Sequence, residues 1–338
     1  MYLHYLTVHQ LIKEAGARDF ELKLSNHTLP LDEAAADLVT RLDQLFERKN
    51  DILQGYLAEP DEALFPGLYQ TWVDDGRRKE TFLQFSKDAM HALIQMLQGV
   101  SGAKGGYMLF VDYTLEEERR IGIFLIREQD GLMFGADQVN SERDFALNPV
   151  RYLDLDHLAM AGRIFAGRGR NVQLIRHART QTQISQYFSD WVGLAQPESS
   201  TELTYNFMEA VRELPLPKDQ ESGFAMEEAD FNKALVQYAN RQPQQTIKVD
   251  DFDQFFYGNE APLKAYLEEQ SNEEFTDGFR ADRSLLRKAF YLRASDQGIS
   301  VSFNKEHLRQ NLVEVDAESG TIVIRSPQLA DLLKSQEG

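Results

Sequence analysis

Five apolar segments follow one another between residues 106 and 178, and most of the connections between them are short. Parallel strands need crossovers of about a dozen residues or more, whereas antiparallel strands can be joined by tight turns. This succession constrains the fold more than any other feature, because it predicts one sheet of antiparallel strands. The segments are GYMLFVDYT (106–114), RRIGIFLIRE (119–128), GLMFGADQV (131–139), YLDLDHLAMAGRIF (152–165) and NVQLIRHA (171–178).

The N-terminal part adds strands and two long helices to this block. YLTVHQLI and FELKLS (20–25) predict strands, and apolar residues at helical spacing predict helices from about Asp32 to Tyr56 and from about Lys79 to Gln98. The segment EPDEALFPG (59–67) contains two prolines and is predicted to be a loop. We therefore expect a mostly antiparallel sheet with two long helices, which is an α+β domain.

The second half of the chain is predicted to be mainly helical. The turn residues in LAQPESST (194–201) predict a boundary between an α+β domain at 1–195 and a mainly helical domain at 196–338. Helical spacing predicts helices at about 201–213, 227–241, 249–257 and 261–270. A small α+β unit then follows, with a helix at 282–290, a strand at 299–303, a hairpin at 311–326 and the terminal helix PQLADLLK.

Charge is distributed unevenly along this chain, whose formal net charge is −18. Residues 1–150 and residues 201–338 each contain 15 basic and 25 acidic residues, a net charge of −10, whereas residues 151–200 contain 6 basic and 4 acidic residues, a net charge of +2. No acidic residue occurs from His157 to Ser189. The middle of the chain is therefore the natural place to look for polyanion binding.

The stretch RIFAGRGRNVQLIRHAR (163–179) concentrates this positive charge. One explanation is a solvated strand edge or loop, where arginines are common. The other is a track for phosphate groups, in which Gly167 and Gly169 would let the backbone approach a polyanion. The candidate DNA-binding residues are Arg163, Arg168, Arg170, Arg176 and Arg179.

A second group of arginines occurs in RADRSLLRKAFYLR (280–293). Arg280, Arg283 and Arg287 have i, i+3, i+7 spacing and would line one face of a helix. A second DNA contact and a solvated helix face explain this pattern equally well.

Two acidic patterns could in principle hold a metal ion. Asp154, Asp156 and His157 form D-x-D-H, but one strand supplies too few ligands for a hard metal. Glu21 and Lys23 have the E-x-K spacing of a nuclease strand, which alternating charge on an exposed face explains more simply. We expect no metal site and no cofactor.

Catalytic motifs are missing from the sequence. GAKGG (102–106) lacks a Gly-Lys-Ser/Thr sequence and precedes a strand, so it predicts a turn rather than a phosphate loop. The seven histidines form no H-E-x-x-H spacing, and no G-x-S-x-G occurs. Because the chain has no cysteine, disulfides, thiolate zinc sites and a cysteine nucleophile are excluded. A protein without enzymatic activity is expected.

Nothing in the sequence indicates a membrane or secreted protein. The longest apolar runs are far shorter than the roughly 20 residues that a membrane-spanning helix requires. The N-terminus lacks a basic segment followed by an apolar stretch and a cleavage site. The absence of cysteine fits a reducing compartment. The expected location is the cytoplasm.

Several stretches, in the same order, resemble the bacterial nucleoid-associated protein family of the NdpA/YejK type. The similarity spans nearly the whole chain and is weakest from about 200 to 270. It implies a cytoplasmic protein associated with the nucleoid, with DNA binding largely indifferent to sequence, and it assigns no catalytic or DNA-binding residue. The stretches are HQLIK (9–13), FLQFSKDA (82–89), GGYMLF (105–110), NPVRYLDLDH (148–157), FRADRSLLRKA (279–289), ISVSF and TIVIRS.

The leading hypothesis is therefore a nucleoid-associated protein that contacts double-stranded DNA without sequence specificity and contributes to chromosome organisation. An alternative is an interaction module whose acidic regions dock onto basic DNA-handling enzymes such as type II topoisomerases. A metal-dependent nuclease is a third hypothesis. The sequence does not indicate the oligomeric state; a homodimer would double the phosphate contacts and is favoured on that ground alone.

Overall fold

The computed structural model describes residues 1–13, 20–49, 52–97, 105–135, 146–156, 158–166, 171–175, 182–219, 223–270, 278–304, 306–317 and 319–335. The chain divides into two compact units, Met1–Ser200 and Thr201–Gly338. The division falls a few residues beyond the expected boundary at 195, because the strand Leu194–Ser199 pairs within the sheet of the first unit.

The first unit is built on an eight-stranded sheet with the strand order β10-β3-β9-β8-β5-β4-β1-β2. Each pair of neighbouring strands is antiparallel, which confirms the expected α+β class and the sheet type. The strands of this unit are β1 (Tyr2–Ile12), β2 (Glu21–Lys23), β3 (Ile52–Leu57), β4 (Gly106–Leu115), β5 (Glu118–Ile126), β6 (Glu128–Gly135), β7 (Ala146–Leu153), β8 (Met160–Phe165), β9 (Val172–Ile175) and β10 (Leu194–Ser199).

Strands β6 and β7 form a separate hairpin, which corrects the expectation that every segment of the block joins one sheet. The position beside β5 is taken by β8 instead. The segment predicted as one strand at 152–165 is therefore two strands, with a break after Leu153.

Helices cover both faces of the sheet. On one face lies α1 (Glu33–Glu47), which packs Val39, Leu42 and Phe46 against residues such as Leu109 and Val111 of β4. The other face is covered by α2 (Leu64–Asp74), α3 (Lys79–Leu97) and α4 (Thr182–Val192). Successive residues of β4 and β5 thus point into two different cores, which explains why these strands read as continuous apolar runs.

Two elements of the first unit differ from the sequence prediction. The first long helix ends at Glu47 rather than Tyr56, and residues Ile52–Leu57 form the internal strand β3, because pairing with β9 and β10 outweighs local helix preference. The predicted loop at 59–67 contains the start of α2. Pro66 occupies the first turn of that helix, where the missing N–H would have no helical partner.

The second unit contains the four predicted helices. They are α5 (Ser200–Glu213), α6 (Glu228–Arg241), α7 (Val249–Tyr257) and α8 (Pro262–Glu269), and they enclose an aromatic core that includes Phe207, Tyr238 and Phe252. The short strands β11 (Thr246–Ile247) and β12 (Phe279–Arg280) pair beside this core.

The C-terminal part of the second unit consists of short elements in the predicted order. They are α9 (Arg283–Phe290), β13 (Tyr291–Asp296), β14 (Ile299–Asn304), α10 (Glu306–Arg309), β15 (Val313–Asp316), β16 (Thr321–Ile324) and α11 (Pro327–Lys334). Strand β13 pairs with β14, and β15 pairs with β16. Strand β13 is a further element that was not predicted, since the expected helix ends at residue 290 and the next expected strand begins at 299.

Candidate nucleic-acid interface

Arg163 lies on β8 and points into the core beneath α1, so its assignment to DNA binding is wrong. Its side chain is 0% exposed. The guanidinium lies over the ring of Phe46 at 4.1 Å and makes ion pairs with Asp43, at 3.0 Å, and with Glu47. A charge in this position is held by two acids of α1 and cannot reach a phosphate.

Arg163 belongs to a buried charge cluster, which we define as Asp43, Glu47, Tyr113, Arg120 and Arg163. Asp43 is its centre, with Arg163 at 3.0 Å, Arg120 at 3.6 Å and the Tyr113 hydroxyl donating at 2.6 Å. Burial raises the pKa of Tyr113, so the hydroxyl remains protonated and able to donate. The cluster joins α1 to β4, β5 and β8, and its role is structural.

The other four arginines of 163–179 lie outside the described residues: Arg168, Arg170, Arg176 and Arg179. The described strands show which end of β9 each of these arginines follows or precedes in the chain. Arg168 and Arg170 lie between Ala166 and Asn171, at the β8–β9 connection, whereas Arg176 follows Ile175 directly. Because β9 spans about 13 Å between these points, the two pairs are attached at opposite ends of the strand.

Two further basic residues, which follow α1 in the chain, lie near the end of the sheet at Ile175. Ile52 pairs with Ile175, so the chain enters β3 at the same end at which it leaves β9. Arg48 and Lys49, just before this entry, are exposed and half-exposed respectively. We call this place the basic end of the sheet; Arg48 and Lys49 lie there, and the chain continues from it into residues 176–179, which are outside the described residues.

Sequence analysis missed Arg48 and Lys49. They are 127 or more positions from Arg176 in the chain, and both were placed inside a helix. The only signal available was their adjacency as a basic pair, which is common on solvated helix ends. The antiparallel register of β3 and β9 is what brings them to the exit of β9.

The opposite end of the sheet has acidic neighbours. The turn between β4 and β5 contains Glu116 and Glu117, and the N–H of Ala166 donates to the carbonyl of Arg119 just after this turn at 3.0 Å. The β8–β9 connection therefore begins beside Arg119, three residues after Glu116 and two after Glu117 in the chain.

The second arginine group does not form one open face. Arg280 lies on β12, opposite Thr246, and is 0% exposed, so its assignment to DNA binding is also wrong. Arg283 is half-buried and donates to the Asn240 carbonyl at 3.2 Å. Arg287 is exposed on the last turn of α9, next to exposed Lys288. One residue of the three, Arg287, is thus presented to solvent.

The acidic patterns do not assemble a metal site in the described part of the chain. Asp154 and Asp156 follow the end of β7, where the Asp154 carboxylate accepts the N–H of Asp156 at 3.1 Å in a turn. His157 lies outside the described residues. Glu21 and Lys23 are both exposed on β2. Among the residues described, no three His, Asp or Glu side chains come together in a way that would hold a metal ion.

Residues 102–104 of the glycine-rich segment likewise lie outside the described residues. None of the described helices is long and apolar enough to cross a membrane.

The chain is similar to bacterial nucleoid-associated proteins over its whole length. A sequence model of the family described as nucleoid-associated protein YejK matches residues 7–330. A nucleoid-associated protein of Pseudomonas fluorescens (strain Pf-5) is 25% identical over 353 residues, covering 99% of each chain. One from Pseudomonas entomophila (strain L48) is 24% identical over 363 residues, covering 100% of each chain.

Proposed function

Because the chain belongs to the nucleoid-associated protein YejK family, we propose that it binds double-stranded DNA through the phosphate backbone, without sequence specificity, and contributes to chromosome organisation. Its place of action is the nucleoid in the bacterial cytoplasm. We propose no catalytic step and no cofactor.

The observation that carries this proposal is that β3 begins at the same end of the sheet at which β9 ends, so that Arg48 and Lys49 lie near the point from which the chain runs on into Arg176. Arg48 and Lys49 arrive there from α1, and Arg176 and Arg179 follow β9. Arginine and lysine are the side chains that most often contact phosphate oxygens, and such contacts carry no sequence information. Arg168 and Arg170 remain a second, weaker part of the proposed surface.

An acidic protein can bind DNA at such a place because screening limits the reach of distant charges. At physiological ionic strength the screening length is about 8 Å, so acids on remote faces do not cancel a local basic surface. The net charge of −18 nevertheless lowers the affinity. We expect dissociation constants in the non-specific range of about 10⁻⁴ to 10⁻⁶ M.

Paired substitutions test the location. We expect Arg176→Gln with Arg179→Gln, and separately Arg48→Gln with Lys49→Gln, to weaken binding to a random-sequence duplex about tenfold or more at low salt. The matched control is Arg212→Gln with Arg241→Gln, two exposed arginines of the second unit with the same change of charge. If both test pairs bind like this control, the basic end is not the DNA surface.

The acidic residues of the second unit favour a second class of partner, namely basic proteins. Residues 201–338 have a net charge of −10, and exposed acids such as Asp251 and Glu269 lie on α7 and α8. We propose that this surface is steered toward basic DNA-handling enzymes, type II topoisomerases among them. Co-purification that survives nuclease digestion is the expected result; loss of these partners on digestion would leave DNA as the only link.

A further inference from the structure

A cluster of polar side chains lies at the end of the sheet next to the turn between β4 and β5. On the face covered by α2 and α3, the strand register sets Tyr5 opposite Asp112 and Thr114 opposite Arg119. The neighbouring residues of this face are apolar and form the core, yet the Asp112 side chain is 0% exposed. A carboxylate buried in such a place requires a cation and defined hydrogen bonds.

Asp112 holds the guanidinium of Arg119 in one orientation. Nε of Arg119 donates to one carboxylate oxygen at 2.9 Å, and Nη2 donates to the other at 2.5 Å. This two-point contact uses two of the five N–H donors of the guanidinium. Because the Arg119 side chain is 31% exposed, its other donors can reach a second anion at the surface.

Arg77 approaches the same cluster from the end of α2. Its φ of 54° lies in the left-handed region that residues other than glycine rarely occupy, and its N–H donates to the Trp72 carbonyl at 3.0 Å. Its guanidinium carbon lies 5.7 Å from the centre of the Trp72 ring. The rings of Trp72 and Phe82 are 5.3 Å apart, and those of Phe82 and Tyr5 are 5.5 Å apart. In the described part of the chain, no carboxylate lies within ion-pair distance of Arg77.

His4 adds a third nitrogen-bearing side chain to the cluster. Its Nε2 lies 2.9 Å from the hydroxyl of Thr114. Burial is the main cause of a lowered pKa of His4, and the charge of Asp112 opposes it. Arg119 and Arg77 lower the pKa of His4 further, so the positive charges of both arginines reach this ring.

We propose that this cluster binds a phosphate dianion, either inorganic phosphate or the terminal phosphate of a small molecule. We define the anion site as His4, Arg77, Asp112 and Arg119. Guanidinium groups match phosphate oxygens with paired N–H donors. Since Asp112 balances Arg119, Arg77 supplies one net positive charge, and His4 supplies a second when it takes up a proton. A phosphate monoester has a second pKa of about 6 and carries nearly two negative charges at neutral pH.

The surroundings of the anion site favour a small ligand over a duplex. Glu116 and Glu117 are exposed on the turn between β4 and β5, and Asp75 and Glu80 are two residues before and three residues after Arg77 in the chain. A duplex carries one negative charge per roughly 1.7 Å of its axis, so it would bring further phosphates against these acids. A single phosphate group avoids this repulsion.

Titration with inorganic phosphate tests the anion site without DNA. By calorimetry of the full chain in a buffer free of phosphate and sulfate, we expect Arg77→Gln to weaken phosphate binding about tenfold or more, because a charged hydrogen-bond donor is lost. The matched control is Arg78→Gln, since Arg78 is the next residue and pairs with Asp75 at the surface. This control should bind like the wild type. No binding by the wild type, or equal weakening in the two variants, would overturn the proposal.

Three probes identify the source of the phosphate. Inorganic phosphate and adenosine 5′-monophosphate present the dianion, whereas dimethyl phosphate is a monoanionic diester like the DNA backbone. We expect the diester to bind about tenfold more weakly or worse, because one negative charge is missing. Tighter binding of the nucleotide than of inorganic phosphate would assign the site to nucleotides, and the reverse order would assign it to free phosphate. Equal binding of the diester would contradict a site for a dianion.

Nuclear magnetic resonance locates the bound phosphate without a substitution. Inorganic phosphate should shift the ring resonances of His4 and leave those of His91 unchanged. His91 is exposed on α3, nine residues beyond Phe82 and therefore about 13.5 Å along the helix. Phosphate binding without a shift at His4 would place the ligand elsewhere and refute the assignment. Because the anion site and the basic end share no residue, loss of phosphate binding and loss of DNA binding are separate outcomes.

Discussion

Asp43 and Arg163 stabilise the first unit by satisfying each other's charge inside it. Both are almost completely buried, and Asp43 also accepts the Tyr113 hydroxyl. Removing one partner of a buried ion pair leaves the other charge uncompensated, which costs much more than the pair contributes when intact. The charge cluster is therefore sensitive to single substitutions.

We expect Asp43→Asn to lower the free energy of unfolding by about 3–5 kcal/mol, because Arg163 and Arg120 lose their shared carboxylate. Urea denaturation measures this. Asp37→Asn, on the exposed side of the same helix, removes an ion pair with Arg41 whose side chains are 59% exposed, and it should change stability by less than about 1 kcal/mol. Equal effects of the two changes would show that the cluster is not stabilising.

His9 makes stability depend on pH. It is 1% exposed; its Nδ1 accepts the N–H of Ser25 at 3.1 Å, and its Nε2 lies 2.9 Å from the Ser86 hydroxyl. Burial, reinforced by nearby Lys87 and His91, lowers the pKa of His9 to about 4. The folded state thus favours the neutral ring, whose contribution is complete above pH 6.5 and is lost as pH falls toward 4.

The expected loss across this pH range is about 3 kcal/mol of unfolding free energy. Urea titrations at several pH values should show it for the wild type. The slope of the unfolding free energy against pH gives the number of protons taken up on unfolding, and in His9→Asn this number should be smaller by about one. His27→Asn, at an exposed position, should retain the wild-type slope. An unchanged slope in His9→Asn would refute the assignment.

At the scale of elements, Gly55 lets two strands approach. A Cβ atom at Gly55 of β3 would lie 2.3 Å from the backbone oxygen of Ala195, where the register of β10 shifts between Ala195 and Glu198. Glycine inside a strand commonly marks such a close approach. The backbone of β10 cannot move away without losing its pairing to β3.

We expect Gly55→Ala to lower the unfolding free energy by about 1–3 kcal/mol, as overpacking does. The control is Gly131→Ala on β6, where the obstacle is the ring of Tyr152, a side chain 47% exposed and able to turn aside. Denaturant midpoints should fall for the first variant and change little for the second. The reverse order would show that β10 is not held against β3 in this way.

The sequence predicted those elements whose structure follows from their own local residue pattern. The helices of the second unit and the C-terminal hairpin follow from local spacing and turn residues, and β4 and β5 follow from their apolar runs. Strand β3 did not, because ILQGYL has no strong strand signal and is fixed by partners 117 or more positions away. The burial of Arg163 was not predicted for the same reason, because the acids that pair with it, Asp43 and Glu47, lie on α1.

At the scale of the whole molecule, the proposed function depends on where charge is placed rather than on its total. The net charge is −18, yet Arg48 and Lys49 lie at the end of the sheet at which β9 ends, and Arg176 is the next residue of the chain after β9. The acidic composition alone would argue against DNA as a partner. The basic stretch alone would assign Arg163 to DNA binding. The structure separates the buried cation Arg163 from Arg48 and Lys49, which lie at the end of the sheet at which β9 ends.

The salt dependence of DNA binding tests this account most directly. With purified protein and a random-sequence duplex, the logarithm of the affinity should fall with the logarithm of salt concentration with a slope of about −3.6 for four phosphate contacts. Replacing Arg48, Lys49, Arg176 and Arg179 together with Gln should make the slope shallower by about 3, and replacing four exposed arginines elsewhere, Arg41, Arg212, Arg241 and Arg325, should not. The same slope in both variants, or no binding by the wild type at about 25 mM salt, would contradict it.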